Sequence, residues 1–537
     1  MKEYANLTAL IVEPNLGMRG NLHNMLTQCD ITKIDHAVSA GTTVRQLEKK
    51  SFDIILCEYD LDGQDGQQLL EDLRHNKLIT MWTIFIMVTS ERTYEKVVGA
   101  AELAPTDYIL KPFTADMLLE RIGRALEKRA VFFPVYQLMG QGNLREAIEA
   151  CEVGEANNRR YMVDFMRLRA ELHVTLGEPA MAEPIYEKLL ETKAIAWARL
   201  GLAKTLYMQD RLTEAESMLA NLVADNDKFM DARDWLAKTH EAIGQLPEAQ
   251  KVLEGAVAIS PHAVRRLRKL GEVAMQAGDV DVAEKSFQQV VSKAKYSEFR
   301  DPEDHVRLVQ SLVKKGETSR AATVIRDLEK SLAESKKTPA CRALSSAFLH
   351  ESMGNTELAA EELTAAVAAC RESIGMSSDM KLALAKSCLE NKLEEIASEV
   401  MLDVMNNAPN NAALEKAKNV FEQAGRPDLA ESMIKESRRQ VVELVSSGAD
   451  KAKQGDYKGA VTLMLEAANK LPDNPQVIFN AAVAILKYLE NLGWDNQLGS
   501  RCRVLVDTAR RLDPANPRLA PLADLYQQIM KKYGMAA

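Results

Sequence analysis

Aromatic residues make up only 5% of the 537 residues, so the interior has to close through small and aliphatic side chains. Basic residues do not predominate: 68 Lys and Arg against 77 Asp and Glu leave a net charge of −9, which argues against a nucleic-acid partner. The seven cysteines (Cys29, Cys57, Cys151, Cys341, Cys370, Cys388 and Cys502) are odd in number and scattered, with no C-x-x-C. That pattern excludes a disulfide framework and a zinc site, and reads as free thiols in a reducing cytoplasm. Long apolar runs are missing: the longest, Ile79 to Val88, is ten residues, about half of what a bilayer requires. The opening MKEYANLTALIVEP lacks the pattern of a secretory signal, so we expect a cytoplasmic chain that begins near Met1 and meets no membrane. Phosphate-loop, nucleophile-elbow, zinc-protease and dinucleotide motifs are all absent, and the eight His are dispersed. No catalytic residue, enzyme activity or metal site is expected.

What is present changes character near residue 130. Up to there, short β-branched runs (Ala9–Val12, Ile31–Ile34, Asp53–Cys57, Ile84–Val88 and Tyr108–Leu110) alternate with amphipathic stretches, which predicts an α/β domain with a five-stranded doubly wound parallel sheet. Beyond Pro134 the strand signal vanishes and small residues recur. Ala147, Ala182, Ala215, Ala249, Ala283, Ala321, Ala359, Ala397, Ala430 and Ala460 lie 30 to 38 residues apart. Five positions before each stands a glycine, with only Asp210 and Lys392 as exceptions; four positions after each stands a bulkier residue such as Tyr186, Phe287 or Met464. This spacing predicts an all-α solenoid of helical hairpins, in which small residues let two helices approach and Gly takes the turn. Pro261, Pro409 and Pro472 end second helices. The three 38-residue spacings predict lengthened, protruding hairpins, and a helix over about 518–533 covers the last one.

This pattern, in segments such as GDVDVAEKSF (278–287) and GDYKGAVTLM (455–464), resembles the tetratricopeptide repeat over about residues 134–514. The resemblance implies binding of protein partners on the repeat surface, not catalysis. The basic run Arg265 to Lys269 reads as a solvated helix face with its stem carbons packed.

The N-terminal segments ALIVEPNLGMR (9–19), DIILCEYDLDGQDG (53–66), IFIMVTS (84–90) and DYILKPF (107–113) resemble the receiver domain of bacterial response regulators over about residues 7–128. That resemblance implies an acidic pair after the first strand that binds Mg²⁺ with a phospho-accepting Asp, and places Thr89, Lys111 and Pro112 at the family's switch and pocket positions, with Tyr108 as the switch aromatic. The acidic pair here reads Glu13-Pro14, and Glu58 stands at the acceptor position. One ligand is lost and two carboxylates are lengthened, which argues against Mg²⁺ binding and against in-line phosphoryl transfer. Glu58 then either reaches Lys111 and Thr89 and fixes an activated-like state, or the pocket has decayed and the domain persists for docking. Asp60, Asp62 and Asp65 read as a solvated acidic turn rather than as substitute acceptors.

The chain divides on this reading into a receiver-like domain (1–129), a repeat array (130–514) and a capping helix (515–537), with no flexible tether. Phe132, Phe133 and Tyr136 serve either the junction or the first hairpin. The expectation is a bacterial two-component-type signalling adaptor with an unphosphorylated receiver, a protein partner on the repeats, a receiver-mediated homodimer, and no cofactor. The alternative is a genuine phosphorelay regulator that takes phosphate from a histidine kinase.

Overall fold

A computed structural model describes residues 4–534 apart from 5, 62–65, 77, 81, 91–104, 141–142, 193–194, 262, 297–299, 373–374 and 514–515, with backbone alone at 68, 71, 75, 192, 296, 372 and 412. The chain falls into two compact units. One comprises residues 1–140, 144–172 and 179–304; the other comprises 305–537 with the short segments 141–143 and 173–178.

The first unit opens with strands β1 (Thr8–Val12), β2 (Lys33–Ala37), β3 (Ile54–Glu58), β4 (Ile84–Thr89) and β5 (Asp107–Leu110) and helices α1 (Leu16–Gln28), α2 (Ala40–Leu47), α3 (Gly66–His75) and α4 (Ala115–Gly140). The sheet is parallel in the order β2-β1-β3-β4-β5. Alternation along each strand builds a core on both faces: Leu10, Val12, Ile55, Cys57, Phe85 and Met87 on one, and Ala9, Ile11, Ile54, Leu56, Ile84 and Ile86 on the other. The second strand starts two residues later than the β-branched run suggests. Asp30 takes a left-handed φ of 61° after α1, and Ile31, fully buried, donates its N–H to the Leu26 carbonyl at 3.0 Å. Ile31 therefore closes the helix end, and the edge strand begins at Lys33.

Helix α4 runs 26 residues through Pro134, across the boundary between the two sequence modules. Its first half buries Leu118 and Ile122 against the sheet. Arg129 donates to Asp53 Oδ1 at 2.8 Å, and Asp53 also accepts from the Thr8 N–H and hydroxyl at 3.0 Å. One turn further, Phe132 stacks on Phe165 of the helix Met162–Thr175 with ring centroids 4.2 Å apart, and on Tyr136 at 5.9 Å. Phe133 points outward, 42% exposed. The indole of Trp82 lies against Gly140. Two of the three aromatics thus pack the first repeat, while the sheet is fastened by Asp53 and Trp82.

The remaining helices are paired as hairpins, such as Ala196–Met208 with Leu212–Asp225 and Val264–Ala277 with Val280–Lys293. All ten alanines of the periodic column are fully buried. The approach is close at Gly201 and Gly271, where an added Cβ would sit 2.4 Å from the Tyr186 ring and 2.6 Å from the Phe287 ring. The extra residues of the 38-residue spacings go partly into connections, between Lys293 and Pro302 and between Ser331 and Thr338, and partly into the helices Thr338–Ser352 and Thr356–Glu372, of 15 and 17 residues.

In the second unit, one core runs from Val306 to Ala430 and another from Val441 to Ile529, and the 27-residue helix Pro427–Lys453 contributes to both. No proline follows Ala430 at the spacing that ends other second helices, so what the repeat pattern reads as two helices is one. The last helix, Leu519–Lys532, buries Leu519, Leu522 and Ile529 in the second core, where Cys502, Val506 and Ala509 also lie.

The hairpin turns explain the glycine column and its exceptions. The described glycines at this position, from Gly177 (φ 72°) to Gly244 (φ 88°), are left-handed, and Asp210 and Lys392 adopt φ 61°. The bonding is the same in both cases: Gln245 N donates to the His240 carbonyl at 2.8 Å, and Leu393 N donates to the Cys388 carbonyl at 2.8 Å. Each hairpin needs one left-handed residue to close its first helix, which costs a side-chain-bearing residue roughly 1–2 kcal/mol. Lys392→Gly should therefore stabilise the chain by about 0.5–1 kcal/mol after the added chain entropy of glycine is deducted. A rise in the denaturant midpoint checks this, and a fall would show that Lys392 makes compensating contacts.

Candidate functional site

A parallel sheet places the carboxyl ends of its strands along one edge, which is where side chains converge for chemistry. Val12 pairs with Cys57, Glu58 with Val88 and Thr89 with Leu110, so Glu13, Glu58, Thr89 and Lys111 meet there. Lys111 Nζ donates to Glu13 Oε2 at 2.9 Å and to Glu58 Oε2. The second oxygen of each carboxylate is also engaged: Asn15 N donates to Glu13 Oε1 at 2.9 Å, and Tyr59 N donates to Glu58 Oε1 at 2.8 Å. The group is largely withdrawn from water, with side chains 4% (Glu13), 12% (Glu58) and 13% (Lys111) exposed.

Thr89 is buried, and its carbonyl accepts the Lys111 backbone N–H at 2.7 Å. Tyr108 packs, half-buried, on the core face that holds Phe85 and Met87. The peptide between Lys111 and Pro112 is cis. Asp60 is exposed beyond Glu58, and Asp62 and Asp65 lie outside the described residues.

Three supporting residues escape a reading by motif. Asn15 caps α1 by accepting from Met18 N, and Arg19, one turn on, donates to the carbonyls of Glu13 and Pro14 at 2.6 and 3.2 Å. A polar cap before a helix signals the first, but nothing in the sequence signals the second. Gly66 passes so close that a Cβ would lie 2.4 Å from the Glu58 carbonyl oxygen, while its N–H donates to the Tyr59 carbonyl at 2.6 Å.

These residues do not fit Mg²⁺. The ion requires about six oxygens in octahedral order, whereas all four carboxylate oxygens here already accept N–H donors and an ammonium stands between them. Pro14 offers only a carbonyl, which Arg19 binds. Among the described residues no cluster of three or more His, Cys, Asp or Glu side chains is placed to hold a metal.

Burial alone would lower the Lys111 ammonium, but its hydrogen bonds to Glu58 and Glu13 outweigh that and hold it above the ordinary lysine value. A raised lysine contributes stability that is full below its unfolded-state pKa and is lost as pH rises through the folded one. Stability should therefore be flat through neutrality and fall in the alkaline range, a step that Lys111→Met abolishes. The same substitution strands two buried carboxylates and should lower stability at pH 7 by about 3–5 kcal/mol. Denaturant melts of the full chain from neutral to strongly alkaline pH measure both effects, and an unchanged melt would show that the pair contributes nothing.

Comparison with known proteins bears on the two modules of the chain. Residues 9–123 match the family model of the response regulator receiver domain, and residues 236–298 match that of the tetratricopeptide repeat. The chain is 28% identical over 123 residues to the chemotaxis protein CheY-3 of Vibrio cholerae, which covers 23% of this chain and 94% of that protein. It is 29% identical over 119 residues to the chemotaxis protein CheY of Pseudomonas aeruginosa, covering 22% and 95%. Among solved structures, the C-terminal part of a tetratricopeptide repeat protein from Cytophaga hutchinsonii aligns with a TM-score of 0.37 at 16% identity, over 45% of this chain and 96% of that one. A tetratricopeptide repeat protein from Parabacteroides merdae aligns with a TM-score of 0.33 at 14% identity, over 58% and 98%. Among the described residues no helix is long and apolar enough to cross a membrane. The chain thus carries a response regulator receiver domain of the bacterial two-component kind, joined to tetratricopeptide repeats.

Proposed function

We propose that this chain is a signalling adaptor whose receiver is held in one state by its own lysine bridge rather than by phosphorylation, and whose repeats hold a protein partner. The observation that carries this reading is the saturation of both pocket carboxylates. With Lys111 Nζ between Glu13 and Glu58, the group that would answer an incoming phosphoryl charge is already neutralised. Glu58 occupies the acceptor position with a side chain one methylene longer than Asp, and its carboxylate supplies the negative charge itself. Continuity of α4 from the sheet into the first repeat supports coupling between the modules without a flexible linker.

Two measurements test this. Incubation of the full chain with a small-molecule phosphodonor and Mg²⁺, followed by intact-mass and peptide mass spectrometry, should show no stable phosphate at residue 58; a stable acyl phosphate there would establish a phosphorelay instead. Immobilised full-length protein and its Lys111→Met variant, passed over lysate of the source cells, should retain the same partner in unequal amounts. Equal retention would show that the receiver does not gate the repeats. Truncation at residue 131 is a poor substitute, because it cuts α4 in the middle.

A further inference from the structure

The second unit departs from a regular repeat at the helix Pro427–Lys453, and the departure joins helix ends that a regular array keeps apart. Asn474 Nδ2 donates to the Asn406 carbonyl at 2.7 Å, and Asn407 Nδ2 donates to the Lys470 carbonyl at 3.4 Å. These partners are 68 and 63 residues apart, about two repeats. Asn406, Asn407 and Lys470 also line a cavity of about 870 Å³, a volume in the range of small-molecule sites. Its wall is completed by the end of Thr356–Glu372, the start of Ser378–Glu390 and Leu444 of the long helix.

Two polar atoms of this wall are unanswered. Asn406 and Asn407 are 9% and 8% exposed, and neither Oδ1 accepts a hydrogen bond from a described residue. Exchanging O and N of either amide does not help, because acceptors place the nitrogens. Asn407 Nδ2 donates to the Asp403 and Lys470 carbonyls, and Asn406 Nδ2 donates to Gln440 Oε1, whose own Nε2 donates to Glu436. A buried acceptor without a donor is unfavourable, so the wall is set to receive N–H or O–H groups. Val367, Val400, Val404, Leu463 and Leu471 supply an aliphatic surface, and among the described residues no aromatic ring lines it.

Charge at the wall favours a cation. Arg371 pairs with Glu399 and Lys381 with Asp403, which leaves Glu466 and Asp473 against Lys470. The helices Glu394–Asn406 and Tyr457–Lys470 both end here and present the partially negative ends of their dipoles. The opposing N-terminus of Ser378–Glu390 is capped by its own Ser377, which accepts from Met380 N at 3.3 Å.

We propose that this cavity binds a small aliphatic amine, whose ammonium donates to Asn406 Oδ1 and Asn407 Oδ1 and whose hydrocarbon body lies along the valines and leucines. A primary ammonium carries three donors, enough for both amide oxygens. An alcohol brings one donor and no charge, and a carboxylate brings acceptors to oxygens that are themselves acceptors. The site is independent of the receiver and of the protein-binding reading of the repeats, so either stands if the other fails.

The test is isothermal titration calorimetry of the full chain at pH 7 with butylamine, hexylamine and octylamine, and with octanol and octanoate. One amine should bind per chain, with affinity rising up to about fourfold for each methylene added. Octanol and octanoate should bind at least tenfold more weakly than octylamine. Leu463→Trp, which fills part of the cavity from a half-buried position, and Asn407→Leu, which removes one acceptor, should each weaken octylamine at least tenfold with an unchanged circular dichroism spectrum. If either variant perturbs the fold, the ligand series on the wild-type chain decides alone. Equal binding of octylamine, octanol and octanoate would overturn the proposal and leave an unselective apolar cleft. Absence of amine binding, several amines per chain, or octylamine binding that ignores both substitutions in folded protein would overturn it as well.

Discussion

Convergence of strand ends is the constraint from which the receiver's properties follow. A parallel sheet cannot avoid bringing Glu13 and Glu58 to one edge, and two carboxylates withdrawn from water repel each other unless a cation stands between them. Lys111, delivered by the end of β5, is that cation. Once it bridges the pair, the remaining oxygens turn to the backbone N–H groups of Asn15 and Tyr59, so that each of the four carboxylate oxygens accepts an N–H donor. Glu13, Glu58 and Lys111 thus form a closed internal contact at the strand ends.

The solenoid answers a different constraint, that two helices of about 14 residues approach closely and the chain reverse within a few residues. Buried alanines satisfy the first demand and left-handed turn residues the second. Both demands act through single residue types at a fixed period, which is why the repeat array is legible without an alignment. Asp210 and Lys392 break the glycine column in the sequence yet obey it in backbone conformation, so the constraint lies in the turn and not in the letter.

What stayed hidden has a common cause: it depends on residues brought together from far apart. Five strands and their faces follow from period-two alternation, but Ile31 looks like strand because its burial comes from closing α1. Prolines mark helix ends only where the surrounding packing agrees. Pro134 lies inside α4, where Phe132 and Val135 are buried on either side of it, and the helix Pro427–Lys453 runs on because nothing interrupts it between Ala430 and Gly448. At the site, the positions of Glu13, Glu58, Thr89 and Lys111 are readable from the strand ends, whereas Arg19 and the close passage of Gly66 are not. The run Arg265 to Lys269 is the same lesson in charge, because Asp234 and Asp304, the partners that bury its arginines, lie 32 and 36 residues away.

The two ends of β3 join these themes. Glu58 closes the strand in the pocket, and Asp53, just before its first residue, holds Arg129 of α4 at 2.8 Å. Burial disfavours the Asp53 charge, yet the Thr8 N–H and the Arg129 guanidinium hold its carboxyl below the usual range, so the clamp is a stable feature at neutral pH. At about 3.3 Å per residue the clamp and the pocket are separated by roughly 16 Å of fully paired, buried strand, too stiff to absorb a shift at one end. One turn beyond Arg129, Phe132 is stacked into the first repeat. A displacement of β3 on release of Glu58 from Lys111 would therefore be carried to the start of the solenoid by rigid elements, with no tether in which to dissipate. The lysine bridge and the first repeat are thus joined through β3, Asp53 and the continuous helix α4.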